Sequence, residues 1–314
     1  MADFPTTARV VIIGGGVVGV STLYHLARAG WTDCVLLEKN ELTAGSTWHA
    51  AGNCPNFSNS WAVMNMQRYG LEMYRSLGEA VGYPINYHVT GALRLAHSRE
   101  RMQEFEHVAS MARAQGLGME MCTPAELKEH NPFIELHDLA GGLWDPLDGD
   151  IDPAQLTQAL AKGAKQLGAR IYLNTEDHSI KALPSGEWKV SSNQGDIVCE
   201  HVVTATGNYV QQTAQMLGLD LPCFPILHQY WVTETVPEVR ARKDQGLAEM
   251  PVLRNEAING YVREERDGLM FGPYERPAKL EHFARDGVPD WFGADLLPAN
   301  MDAVEDNWAA ALEL

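Results

Sequence analysis

The stretch Arg9-Val10-Val11-Ile12-Ile13-Gly14-Gly15-Gly16-Val17-Val18-Gly19 decides the fold. Arg9 to Ile13 is a largely β-branched apolar run of the length of a buried strand. Gly14, Gly16 and Gly19 then fill the pattern G-x-G-x-x-G. The first glycine permits a tight turn, the second lets a pyrophosphate approach the backbone, and the third lets helix and strand pack closely. From Val20 to Arg28 the apolar residues fall at helical spacing, closed by Ala29-Gly30. A second apolar strand, Cys34 to Leu37, ends in Glu38, 19 residues past Gly19. An acidic group there accepts from ribose hydroxyls and disfavours a 2′-phosphate, so this β-α-β unit suits FAD or NAD better than NADP.

The 314 residues allow two domains or one large one, and 45% hydrophobic with 21% charged residues is a globular composition. Lys+Arg number 24 against 41 Asp+Glu, a net charge of −17 that repels phosphate backbones and anionic membranes. Nucleic acid and membrane are therefore not expected as partners. An anionic cofactor must instead be held by local backbone donors. Cys34, Cys54, Cys122, Cys199 and Cys223 include no CxxC and no Cys/His pairing, so buried reduced thiols are expected, with no metal site. The N-terminus lacks a basic region before its glycine-broken apolar stretch, which fits a first strand in a cytoplasmic chain, or a matrix one if a processed eukaryotic chain.

Further along, a helix is expected at Val63 to Leu77, paired strands around Gly91 within Asn86 to Leu95, and a helix at Arg99 to Gln115. A loop, Gly141 to Pro153, leads to a helix at Pro153 to Leu167 and a strand at Arg170 to Leu173. Strands Glu187 to Ser191 and Asp196 to Cys199 flank Asn193-Gln194-Gly195, and His201 to Thr206 returns to the parallel sheet before a helix at Tyr209 to Leu217. Strands Phe224 to Thr235, Gly260 to Arg263 and Leu269 to Gly272 form an antiparallel layer, followed by a helix at Asp302 to Leu312.

The most distinctive segment is ELTAGSTWHAAG, Glu41 to Gly52, an accommodating small-residue loop that holds Trp48 and His49. It resembles the flavin-attachment segment of the dimethylglycine and sarcosine dehydrogenases, flavoenzymes of the D-amino-acid-oxidase-like superfamily, and is nearer the dimethylglycine branch. LDGDIDP at Leu147 to Pro153, HQY at His228 to Tyr230, PVLR at Pro251 to Arg254, GYVREERDGLMFGPYE at Gly260 to Glu275 and GVPDWFG at Gly287 to Gly293 match in order and spacing. The resemblance implies an α/β fold: a Rossmann-like FAD-binding parallel sheet, residues 1–84 and 141–221, with an inserted, largely antiparallel substrate-binding sheet, residues 85–140 and 222–314. Family members run on past Leu314, which implies a C-terminally truncated flavin domain, and a tetrahydrofolate site only in the missing region.

The resemblance also implies roles. FAD would be held by Gly14, Gly16, Gly19, Glu38, Ser46 and Thr47 and bonded covalently through His49. His228 and Tyr261 would be the catalytic pair near its reactive face. The activity would be oxidative N-demethylation of a small N-methylated amino acid, yielding formaldehyde or a folate one-carbon unit, with an electron-transfer flavoprotein or oxygen as acceptor. Oxidation of another secondary or tertiary amine, and a catalytically silent flavin-binding subunit, are the alternatives. A substrate carboxylate needs a cationic partner, and Arg254 and Arg263 are the candidates, with Arg266 read as the end of a solvated hairpin. Asp148, Asp150 and Asp152 alternate as calcium ligands do but lack the rest of that pattern, so they are read as a turn. Asn53-Cys54-Pro55 departs from the family's more apolar continuation, which implies a different pocket wall.

Overall fold

The computed structural model describes residues 4–276 and 287–313, so residues 277–286 of the expected 222–314 segment lie outside it. In chain order come β1 (Thr7–Ile13), α1 (Val17–Arg28), β2 (Cys34–Leu37), the single turn α2 (Ser46–His49) and α3 (Trp61–Val81). Then follow β3 (Tyr87–His88), β4 (Ala92–Ala96), α4 (Arg99–Ala114), β5 (Glu120–Cys122), α5 (Pro124–His130), β6 (Gly141–Asp145) and β7 (Asp150–Ile151). α6 (Pro153–Gln166) precedes β8 (Arg170–Tyr172), β9 (Asp177–Ala182), β10 (Trp188–Ser192), β11 (Gly195–Thr204) and, after a 3₁₀ turn at Gly207–Tyr209, α7 (Val210–Met216). The remaining elements are β12 (Trp231–Val232), α8 (Pro237–Asp244), β13 (Val252–Asn255), β14 (Gly260–Glu265), β15 (Gly268–Pro273) and α9 (Glu305–Leu312).

The first sheet runs β8-β2-β1-β11-β10-β9. Its β8, β2, β1 and β11 are parallel, while β10 and β9 add antiparallel. Val10, Ile12, Cys34 and Leu36 pack with α1, α3 and α6, and Val11, Ile13, Val35 and Leu37 form a second cluster with Ile180, Val190 and Ile197. Both faces are covered, which is why β2 is an unbroken apolar run with every residue buried. Asp152 caps α6 by accepting from the Ala154 and Gln155 amides, each at 2.9 Å, with Pro153 at the first helical position.

The second sheet runs β12-β15-β14-β13-β4-β6-β5 and is antiparallel except where β13 meets β4. Register sets its chemistry. Arg94 pairs with Arg254, and Arg254 with Tyr261, so these three share one face in a row across neighbouring strands. Leu93, Leu95, Leu253 and Val262 take the opposite face, packed with Leu127 of α5. The polar face turns toward the segment between α2 and α3: Arg263 Nη2 donates to the Ala51 carbonyl at 3.2 Å, and the Phe57 ring lies 4.0 Å from the Arg94 guanidinium.

Several expected elements take another form. The stretches either side of Gly91 do not pair with each other; β3 pairs with β7, and β4 with β6 and β13. A Cβ on Gly91 would sit 2.0 Å from the Trp144 ring, so this glycine makes room for an indole and turns no hairpin. The loop expected from Gly141 contains β6, a strand of the second sheet, so the first sheet resumes only at α6 and β8. The two strands expected on either side of Glu200 are the single β11, which pairs with β10 early and β1 late, while Glu200 reaches Arg9 at 3.5 Å. Phe224 to Thr235 yields a single bridge at Ile226 and the two residues of β12, and Pro225 brings no amide to a ladder at the start of the stretch. Cys34, Cys54, Cys122 and Cys199 are buried free thiols, but Cys223 is exposed.

A Cβ on Gly19 would lie 2.0 Å from the Gly14 carbonyl oxygen, whereas one on Gly45 would meet nothing within 4 Å. Gly19→Ala is therefore expected to lower stability in urea denaturation by about 1–3 kcal/mol or more. Gly45→Ala should stay within about 1 kcal/mol of the parent.

Candidate cofactor and substrate site

The glycine turn has two kinds of glycine. Gly14 takes φ +111, and a Cβ on it would lie 2.3 Å from the Ala205 carbonyl oxygen, so it and Gly19 are required by the chain itself. Gly16 has an ordinary φ of −74 as the N-cap of α1, and a Cβ there would touch only Thr47 Oγ1, at 3.2 Å. Its missing side chain leaves open space over the helix start. α1 has no acidic residue in its first turn and no side-chain cap from Gly16, so its positive end is met only by residues from outside the helix. The neighbouring residues brace the turn: Glu38 Oε2 accepts from the Gly15 amide at 2.6 Å, Oε1 from the Asn40 amide at 2.8 Å, and Thr47 Oγ1 from the Val17 amide at 2.9 Å. The open space over the helix start, with the α1 amides that Glu38 and Thr47 do not engage, fits a diphosphate nucleotide.

Thr47 ties α2 to the start of α1, and α2 carries His49. His49 Nδ1 faces the Gly45 carbonyl at 2.9 Å and Nε2 the Asp295 carbonyl at 2.8 Å; a neutral ring donates to one of them only. Phe292 stacks on the imidazole at 5.6 Å between centroids, and Trp48 meets it edge-on at 4.9 Å. The GVPDWFG segment thus packs directly against His49. It is anchored by Tyr209, whose hydroxyl donates to the Pro289 and Phe292 carbonyls at 3.0 and 2.7 Å. Ser46 Oγ donates to Asn208 Oδ1 at 3.3 Å.

On the second sheet Tyr261 is buried, and burial followed by the neighbouring Tyr274 pushes its phenol up to about 12, so it is protonated at neutral pH. Tyr274 lies between Tyr261 and His228, with ring centroids 6.0 and 5.6 Å away. His228 Nδ1 is 2.6 Å from Oε2 of the buried Glu275.

Both arginines expected to meet a carboxylate already have one within the chain. Arg254 Nη2 donates to Asp148, at 3.1 and 3.3 Å to its two oxygens, and Asp148 is fully buried. Arg263 pairs with Glu265 at 2.9 Å and Asp150 at 3.5 Å. Arg266 stands at the turn between β14 and β15 with a side chain 90% exposed. The three alternating aspartates diverge, Asp148 to Arg254, Asp150 to Arg263 and Asp152 to the α6 cap.

Sequence reasoning missed Arg94. It makes no hydrogen bond or ion pair among the described residues, its Nε is buried without a partner, and burial, then the like charge of Arg254, push it down to about 10. An arginine between two leucines in a strand was the sequence sign of it. Burial, then the Asp148 charge, likewise lifts Asp145 to about 6. Glu275, the last residue of the longest matching motif, was missed as well.

Residues 9–314 match the DAO family of FAD dependent oxidoreductases. The chain is 40% identical over 315 residues to the mitochondrial dimethylglycine dehydrogenase of Mus musculus, covering 99% of this chain and 36% of that protein. It is 32% identical over 297 residues to the formaldehyde-forming 4-methylaminobutanoate oxidase of Paenarthrobacter nicotinovorans, covering 91% and 35%. The crystal structure of L-proline dehydrogenase from P. horikoshii aligns with a TM-score of 0.80 at 24% identity, over 99% of this chain and 78% of that one, a likeness of fold. The chain spans about a third of the length of the curated relatives it matches.

Asp145 offers a check on this buried charge. Its carboxyl is lifted from 3.8 to about 6, so the folded state binds the proton more tightly and stability falls as pH rises from below 3.8 through about 6. Asp145→Asn removes that loss while keeping an oxygen for the Leu147 amide, which Asp145 Oδ1 accepts at 3.1 Å. Urea titrations should show the variant gaining up to roughly 3 kcal/mol more relative to the parent at pH 8 than at pH 3.5. An equal difference at the two pH values would contradict it.

Proposed function

The chain belongs to the DAO family of FAD-dependent oxidoreductases, and from that membership we propose that it oxidatively N-demethylates a small N-methylated amino acid of the dimethylglycine or sarcosine type. The observation that carries this reading is the placement of His49, tied through Thr47 to the first amide of α1 and so held at a set position beside the nucleotide cradle. Gly14, Gly16 and Gly19 with the α1 start would hold the pyrophosphate, Glu38 the ribose, Ser46 and Thr47 the neighbouring polar groups, and His49 the flavin covalently. When bound, FAD supplies the hydride acceptor that no side chain can provide.

The chain's own residues prepare the substrate. Its carboxylate needs a cation that no internal acid already occupies, and Arg94, beside Arg254 in the row that leads to Tyr261, supplies one. Arg263 is held by Glu265 and Asp150 and is set aside as an anchor. A hydride leaves an N-methyl carbon only when the nitrogen lone pair is free, so the bound ammonium must first give up a proton, and His228 receives it. Tyr261, a protonated phenol, donates a hydrogen bond. The resulting iminium hydrolyses to formaldehyde and the demethylated amine. Transfer of its one-carbon unit to tetrahydrofolate is assigned to no residue of this chain. Reoxidation would fall to an electron-transfer flavoprotein or to oxygen. The likeness to a 4-methylaminobutanoate oxidase supports a longer N-methyl amino acid as the second reading.

Two measurements test this. In an acid denaturing gel the wild-type band should fluoresce as flavin and the His49→Ala band should be dark. Formaldehyde release should then be seen with dimethylglycine or sarcosine and be at least tenfold weaker with dimethylethylamine, which lacks the carboxylate. Fluorescence without formaldehyde from any amine would overturn demethylation in favour of a flavin-binding subunit.

A further inference from the structure

The strand β15 ends at Pro273, and the next two residues, Tyr274 and Glu275, are held firmly. The Tyr274 amide donates to the Asn259 carbonyl at 2.7 Å, and Asn259 Nδ2 donates back to the Tyr274 carbonyl. Asn259 itself sits at the turn before β14 with φ +48. This clamp fixes the backbone one residue before Glu275, whose side chain is only 7% exposed. The sole hydrogen-bond or ion-pair partner of that carboxylate among the described residues is His228, with Nδ1 at 2.6 Å. The imidazole above it is 43% exposed, and its Nε2 makes no hydrogen bond among the described residues.

A buried carboxylate with a single histidine as partner is a poor device for stability, since desolvation offsets much of what the pair gains. It is an effective device for orientation. An ionised carboxylate only accepts, so Nδ1 carries the proton and Nε2 presents its lone pair outward. The Tyr274 ring meets the imidazole edge-on and leans against Tyr261, which keeps the histidine beside the row of Arg94, Arg254 and Tyr261.

We infer that Glu275 is the positioning residue of the site: it locks His228 as the Nδ1–H tautomer, so that Nε2 accepts the proton of the substrate ammonium. This deepens the demethylation reading and rests on it for the identity of the proton donor. In the step the ammonium N–H bond breaks, its electron pair stays on the amine nitrogen, and a new N–H bond forms at Nε2. The imidazolium so formed donates from Nδ1 to the Glu275 carboxylate, a charge-assisted bond that neither partner forms as well alone.

The test uses the full chain with ¹⁵N-labelled histidine and reads the tautomer of His228 from its two ring nitrogen shifts, assigned with His228→Gln. The wild type should show a protonated Nδ1 and an unprotonated Nε2. Glu275→Leu should shift the population to Nε2–H, whereas Glu275→Gln, whose amide oxygen still accepts, should keep the wild-type tautomer. On flavin-loaded chain with dimethylglycine, Glu275→Leu should lose at least tenfold in kcat with KM within about threefold, and Glu275→Gln should fall between it and the wild type. A wild-type Nε2–H tautomer, or one that Glu275→Leu does not change, overturns the inference. So does a switched tautomer with unchanged kcat. If wild type demethylates no amine, the functional reading fails, and the tautomer shifts, which need neither flavin nor substrate, still decide whether Glu275 sets His228.

Discussion

The start of α1 passes so close to the end of β1 that Gly19 has no room for a single carbon beside the Gly14 carbonyl oxygen. That contact sets where the first amides of α1 point, and the other parts of the cradle are hung from it. Glu38 reaches under the turn from the end of β2, and Thr47 reaches over it from α2. The histidine of α2 and the segment stacked on it therefore inherit their positions from a clash that only glycine avoids. Of the three glycines of the G-x-G-x-x-G pattern, Gly16 is the one that neither strain nor crowding by the backbone requires.

The second sheet poses a different problem, because it carries charge where a sheet face is ordinarily apolar. A chain of net charge −17 gathers Arg94, Arg254 and Arg263 on one half-buried face. Asp148 and Asp150 neutralise two of them, and Asp145 is pushed toward its neutral form by its surroundings. Arg94 is left over. Desolvating a guanidinium without an acid is costly, and an anionic ligand that relieved this would bind with much of its desolvation already offset. The site is thus a local exception to the field of the whole molecule.

The features legible in the sequence are those set by local physics. The glycine turn, the fully buried β2, and the long helices announce themselves through spacing, since each pattern has a single structural outcome over a short window. His49, His228 and Tyr261 came from motif resemblance, and chemistry alone does not single them out. The features that escaped are long-range. That Gly91 yields to Trp144, or that β13 runs parallel to β4, depends on residues more than fifty positions apart. Arg94 and Glu275 look like ordinary strand and turn residues until the register puts one beside Arg254 and the clamp at Asn259 puts the other beneath His228.

A glycine kept for a ligand and not for the fold can be replaced without loss of stability but not without loss of binding, and Gly16 is the position at which to ask this. Calorimetric titration of the chain with FAD, for wild type and Gly16→Leu, measures this directly when paired with thermal melts of both. The expected result is melts that agree within a few degrees and FAD affinity reduced at least a hundredfold in the variant. Equal affinity in a folded Gly16→Leu chain would contradict it, because the cofactor would then lie somewhere other than over the start of α1.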